Sequence, residues 1–198
     1  MTIQAILAFL TFAVVAAITP GPSNIMVTAT AAAVGFWRGL PCLLGVCIGM
    51  AALIFCVALG LGRLLSFHPS IVPLMNWVGA GFLLWLSWKI ATADVVNDVQ
   101  KRRVVGFSDA AFFQLINPKS WIVSMSAVGA YFNLDSVGIV LHAATYALLF
   151  FVAAIPSLLV WLLFGSFLER RLSEPSTARA FNLAMGLLLA VSTIFILA

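Results

Sequence analysis

Apolar residues run in six blocks, at about 3–33, 40–61, 71–92, 107–132, 137–168 and 180–198, with short polar stretches between them. A run of about 20 apolar residues crosses a bilayer core as a helix. The pattern therefore predicts an all-α integral membrane protein with six transmembrane helices. Three blocks are longer than one crossing needs, and each holds proline: Pro20 and Pro22 in the first, Pro118 in the fourth, Pro156 in the fifth. Proline removes a backbone donor and frees the carbonyl four residues earlier. In hydrocarbon such a break survives only where protein or water re-satisfies the backbone. The first and fourth helices are predicted to be broken, and the fifth to be long and kinked.

Composition narrows the class. The chain has 198 residues, 64% hydrophobic and 8% charged. A soluble domain carries about 25% charged residues, so a charged shell around a soluble core is excluded, and disorder with it. Residues 1–198 read as one membrane domain. The net charge of +4 is no nucleic-acid signature, because the basic residues sit at the ends of apolar blocks. Met1 to Thr19 lacks a basic leader and an A-x-A-like cleavage site, so the first block is expected to stay as a helix. Cys42, Cys47 and Cys56 share one block with no second cluster near them. They read as small buried hydrophobes rather than a zinc or disulfide framework. No pattern calls for a cofactor or a metal.

Charge sets an orientation. With the N-terminus outside, the inner connections hold Arg38; Lys89, Lys101, Arg102, Arg103 and Lys119; and Arg170, Arg171 and Arg179. Nine of the ten basic residues are then inside, leaving Arg63. Both termini are expected outside. Pro20 and Pro118 lie 98 residues apart, and Asn76 and Asn182 open the third and sixth blocks. These pairs suggest three-helix repeats over 1–95 and 104–198, joined by a charged cytoplasmic loop. Three is odd, so the second repeat is inverted. Inverted repeats with broken helices are a transporter plan, with substrate at the breaks.

The first break reads Thr19-Pro20-Gly21-Pro22-Ser23-Asn24. Pro20 frees the carbonyl of Ala16, and Pro22 that of Ile18. Gly21 permits backbone angles that other residues avoid. A half-helix starting at Pro22 or Ser23 presents unpaired N–H groups and a positive dipole end, which suits a carboxylate. A kink capped by Ser23 is the structural alternative. The second break reads Gln114-Leu-Ile-Asn117-Pro118-Lys119-Ser120-Trp121. Pro118 frees the carbonyl of Gln114, and Asn117 can cap the next half-helix. Lys119 either faces the interior, where a charge is functional by default, or snorkels to the inner interface. His142, on one face with Tyr146, is a proton-coupling candidate or an interfacial polar group. No Asp or Glu lies mid-span: Asp109 and Asp135 flank the fourth block, and Asp94 and Asp98 fall in the inner loop. Gly45-Val-Cys-Ile-Gly49 permits close helix contact, either within the chain or at a homodimer face. Trp37, Trp77, Trp88, Trp121 and Tyr131 read as interface-belt residues, and Trp85 and Trp161 as packing.

At residues 19–24 the chain resembles the LysE/RhtB family of bacterial amino-acid exporters. Gly35-Phe-Trp-Arg38-Gly39-Leu40, Gly79-Ala-Gly-Phe-Leu-Leu-Trp85-Leu-Ser-Trp88-Lys89 and residues 114–121 agree with it. The resemblance covers nearly the whole chain. Trp85 to Thr92 looks most like the cysteine/O-acetylserine exporter branch. The resemblance implies export of amino acids or close derivatives across the inner membrane, driven by the proton gradient, with the two motifs at 19–24 and 117–121. Many members carry Asn where this chain has Ser23, a difference that bears on substrate preference.

Together these readings place an amino acid at Thr19, Pro20, Gly21, Pro22, Ser23, Asn24, Gln114, Asn117, Pro118 and Lys119. The half-helix near Pro22 takes its carboxylate. Carbonyls of Ala16 and Gln114, with Asn24 and Asn117, take its ammonium. The expected partners are this substrate and the lipid bilayer, with no nucleic acid. A thiol–disulfide conduit wants a cysteine in each half, and a cation exporter wants intramembrane carboxylates; neither is present. No Ser/His/Asp constellation suggests an enzyme. A scaffold without transport would not need the paired prolines. A C-terminal reporter active only outside the cytoplasm is expected from the charge pattern; cytoplasmic activity alone would reverse the orientation.

Overall fold

The computed structural model describes residues 2–61, 71–92, 105–132, 138–169 and 175–197. Among these no strand occurs. The helices are α1 (Ile3–Ile18), α2 (Pro22–Cys56, running into a π-helical turn at Val57–Leu61), α3 (Ile71–Ala91), α4 (Phe107–Ile116), α5 (Pro118–Tyr131), α6 (Ile139–Glu169) and α7 (Pro175–Leu197). The stretches Pro22–Leu61 and Ile139–Leu168 are long and apolar enough to cross a membrane. Arg63, Asp94, Asp98, Lys101, Arg102, Arg103, Asp135, Arg170 and Arg171, which carry much of the charge pattern, lie outside the described residues.

The expected breaks are there. The first apolar block divides at 19–21, between α1 and α2, and the fourth at Asn117, between α4 and α5. Pro156 lies inside α6, which continues through it. The connection expected between the first and second blocks is present too, but as a sharp turn at one residue inside α2 rather than as a separate loop. The 35 residues of α2 would span about 52 Å if straight, against a hydrocarbon core of about 30 Å. Gly35 interrupts them at φ 80° and ψ 177°, angles open essentially to glycine alone. A Cβ on Gly39 would lie 3.3 Å from the Cα of Ala31. In a straight helix residues eight apart are about 12 Å away, so the chain doubles back at Gly35. The two limbs, 22–34 and 36–56, form a helical hairpin.

Small residues seat the other helices on this hairpin. Gly165 of α6 packs against the Thr28 carbonyl and Ala31, and Leu162 fills the space a Gly39 side chain would need. Gly45 abuts the Phe107 carbonyl. A Cβ on Gly49 would lie 2.7 Å from the Ala111 carbonyl oxygen. The GxxxG face is thus spent against α4 within the chain. On the other side, Phe9 of α1 meets Tyr131 at 5.4 Å and Tyr146 at 4.7 Å, ring centre to ring centre. The Tyr146 hydroxyl donates to the Tyr131 carbonyl at 2.7 Å. Tyr131 thus packs between helices. Trp37, Trp77 and Trp88 remain largely exposed, as lipid-facing side chains would be. Cys42 and Cys47 are buried as expected, but Cys56 is exposed.

Helices α3 and α7 pair through Ser87, whose hydroxyl donates to the Gly186 carbonyl at 2.7 Å. Gly79 of α3 lies against Pro118 and the Ile116 carbonyl, whereas Gly186 of α7 lies against Ser87 and Ala91. The glycines that follow Asn76 and Asn182 thus have different neighbours. Gly45→Val is expected to destabilise the protein by about 1–3 kcal/mol, because its Cβ would meet backbone that cannot move aside. Gly81→Ala, with nothing within 4 Å of the new methyl, should melt near wild type in detergent. Equal melting of the two variants would refute this packing.

Candidate functional site

At each break, carbonyls lose their helical donors. Four replacement donors come from side chains distant in sequence or on the far side of the break. Asn24 Nδ2 donates to the Ala17 carbonyl at 2.9 Å. Trp161 Nε1, from α6, donates to the Ile18 carbonyl at 3.1 Å. Lys119 Nζ, from α5, donates to the Thr19 carbonyl at 2.6 Å. At the second break Trp121 Nε1 donates to the Leu115 carbonyl at 2.8 Å. Away from water each such carbonyl left bare costs several kcal/mol. Trp161 and Trp121 are therefore backbone caps, where packing and belt roles were expected.

A buried polar hub joins the two breaks. Gln114, with no exposed surface, accepts at Oε1 from Ser23 Oγ at 3.0 Å and Ser120 Oγ at 2.8 Å. Its own amide donates to the Ala110 carbonyl at 3.0 Å. Asn117 Nδ2 donates to Ser23 Oγ at 3.1 Å, and Asn117 Oδ1 accepts from the Lys119 backbone N–H at 3.1 Å. Ser23 thus donates to Gln114 and accepts from Asn117. Its short hydroxyl is what lets α2 sit this close to both.

The half-helices α2 and α5 both begin with proline at the first helical position, where a missing N–H costs nothing. Their caps differ. Asn117 caps α5 with its side chain. Gly21 offers α2 no side-chain cap, and the first ladder bond there is Ile25 N–H to the Gly21 carbonyl at 3.0 Å. The N–H groups of Ser23 and Asn24 stand outside that ladder. Gly21 itself is extended, at φ −175°, which any residue adopts. A Cβ there would lie 2.8 Å from Lys119 Cδ and 3.0 Å from Nζ, so a side chain at this position would displace the end of the lysine that meets the Thr19 carbonyl.

A cavity opens at this junction. Its polar lining is Ser23, Asn24, Asn117, Lys119 and Ser120. Ala16, Ala17, Val46, Met50, Val123, Phe150, Ala154 and Leu158 complete it. It offers about 40 Å³ to the centre of a water molecule, and one water takes roughly 10–15 Å³ on that scale. Of the expected site residues, Ser23, Asn24, Asn117 and Lys119 line it. Gln114 stands behind, bracing two of the lining hydroxyls. Pro22 and Pro118 are buried at the helix starts, while Thr19 and Pro20 are exposed. His142 is not brought there: its ring faces Phe132, 6.3 Å away, and it precedes Phe150 on α6 by about 12 Å of helix. Ser120 and the apolar wall were missed. Ser120 lies inside the second motif but was not counted among the binding residues; the wall has no local signal.

Broken apolar helices that meet at a buried cavity with one polar end are a plan that membrane transporters use. The chain belongs to the LysE type translocator family, whose model matches residues 14–198. It is similar to the cysteine/O-acetylserine efflux protein of Salmonella choleraesuis (strain SC-B67), 33% identical over 132 residues, or 66% of this chain and 67% of the relative. It is also similar to the cysteine/O-acetylserine efflux protein of Escherichia coli (strain K12), 26% identical over 190 residues, or 96% of this chain and 95% of the relative. No solved structure matches the chain.

Trp161→Phe removes the donor on the Ile18 carbonyl and is expected to cost about 1–3 kcal/mol. The melting temperature in detergent reads this, with the exposed Trp37→Phe as the control. A Trp161→Phe protein as stable as that control would refute the capping role.

Proposed function

We propose that this chain exports small amino acids or close derivatives across the bacterial inner membrane, binding them as zwitterions in the cavity between the two breaks. The observation that carries the reading is the uncapped start of α2, facing the cavity beside the Lys119 ammonium. The N–H groups of Ser23 and Asn24, with Lys119, receive the substrate carboxylate. The Ala16 carbonyl, freed by Pro20, and Asn24 Oδ1 receive its ammonium. Matched donors and acceptors suit a molecule whose two charges must both be satisfied away from water. Asn117 has both side-chain atoms engaged with Ser23 and Lys119, so it positions the site. Gln114 likewise acts through its amide, and its backbone carbonyl is left out of the site. The family membership and the names of the two relatives support an amino-acid cargo.

In this reading six spans form two inverted three-helix repeats, 1–95 and 104–198, with both termini periplasmic. The start of each half supports it: helix, break, then a half-helix opening on proline at Pro22 and Pro118. The two halves rock about the Ser23–Gln114–Asn117 hub to expose the cavity alternately. The proton gradient drives the cycle. Lys119 is the titratable side chain lining the cavity among the described residues. A homodimer would have to use a face other than Gly45 and Gly49, which α4 covers.

The test is efflux from proteoliposomes loaded with labelled amino acids, with and without a pH gradient. Pro20→Ala, Asn24→Ala and Asn117→Ala, made singly, should abolish export while the protein still inserts. Pro20→Ala restores the N–H that the Ala16 carbonyl lacks, and so removes an acceptor from the site. Normal export by all three variants would make the site assignment wrong.

A further inference from the structure

We infer that the wall formed by α6 and α2 is the side-chain subsite of this cavity, and that Ala154 and Phe150 set the length of side chain it takes. This rests on the reading of the polar end as the place of the amino and carboxyl groups. Phe150, Ala154 and Leu158 recur every four residues, so they stack along one face of α6. Val46 and Met50 repeat the spacing on α2. All five are buried in the protein and line the cavity, so this is an internal apolar surface, not a lipid-facing one.

The middle of the α6 stripe carries only a methyl group. Ala154, between a phenyl ring and an isobutyl group, is where that wall leaves space. A leucine there would add three carbons to a cavity whose free volume is roughly that of three waters. Phe150 closes the stripe one turn earlier. Met50, unbranched and adaptable, lets the facing wall follow more than one short shape.

Charge selects as well as size. Among the described residues no carboxylate lines the cavity. A lysine- or arginine-type side chain would bury an unpaired cation against hydrocarbon. An acidic side chain would bury an unpaired anion in the same place. The subsite therefore takes uncharged side chains of a few heavy atoms and rejects both charged classes.

The experiment compares wild type, Ala154→Leu and Phe150→Ala in proteoliposomes loaded with labelled alanine, cysteine, leucine or lysine under reducing conditions. Wild type should release alanine and cysteine well, leucine poorly and lysine not at all. Phe150→Ala should raise the leucine-to-alanine ratio at least about 10-fold, the lower end of what a single methylene is worth in an apolar pocket. Ala154→Leu should lower the cysteine-to-alanine ratio. Lysine export by wild type, or a leucine-to-alanine ratio unmoved by Phe150→Ala, overturns the subsite and leaves the exporter reading standing. Release of none of the four overturns both. If Ala154→Leu fails to insert, Phe150→Ala alone decides.

Discussion

A backbone carbonyl that has lost its helical donor has no water to turn to inside a bilayer. The arrangement around the breaks follows from that constraint. The carbonyls of Ala17, Ile18, Thr19 and Leu115 are met by Asn24, Trp161, Lys119 and Trp121. These donors sit on α2, α6 and α5, so satisfying the breaks ties α1 to three other helices. Moving any of the three away strands a polar group at a cost of several kcal/mol. The breaks are thus the fixed point to which the surrounding helices are fastened.

Close approach is what makes the fastening reach. Gly21 leaves room for the Lys119 chain, Gly79 for Pro118, Gly49 for Gln114 and Gly165 for the hairpin of α2. At the last three of these places an added methyl group would meet the backbone of a neighbouring helix and push it away, whereas at Gly21 it would displace the end of the Lys119 chain. The outcome is a junction with unequal ends. Asn117 satisfies the start of α5 from within, while Gly21 leaves the start of α2 uncapped toward the cavity. The similar breaks thus differ: one is capped from within, while the other leaves its first N–H groups outside the helical ladder.

Much of this was legible along the chain. Proline announces a helix break through its own covalent structure, so both breaks fell where Pro20, Pro22 and Pro118 put them. Ser23, Asn24, Asn117 and Lys119 were legible because polar residues are scarce in apolar blocks and stand out. The reasons were less legible than the positions. Gly21 is extended rather than held at unusual angles, and its missing side chain leaves the Lys119 chain where it is. Gly35 falls in the connection expected between the first two blocks, but that one glycine makes the whole turn and folds α2 on itself was not legible. Trp161 caps a carbonyl 143 residues away, a pairing that no local pattern encodes. Cys56 was read as buried from its apolar run, and its place on the helix surface decided otherwise.

By itself the sequence determined the class: a nearly uncharged helical chain, interrupted by proline at two points, with its basic residues at the ends of apolar blocks. These are consequences of backbone chemistry and of transfer from water to hydrocarbon, both of which act residue by residue. Only the tertiary structure decided which side chains share the cavity. It set Phe150, Ala154 and Leu158 around the same space as Ser23 and Lys119, withdrew Gln114 behind the site and left His142 about 12 Å of helix from Phe150. Those outcomes depend on how closely helices from distant regions of the chain approach, and that is settled by packing between surfaces rather than by order along the chain.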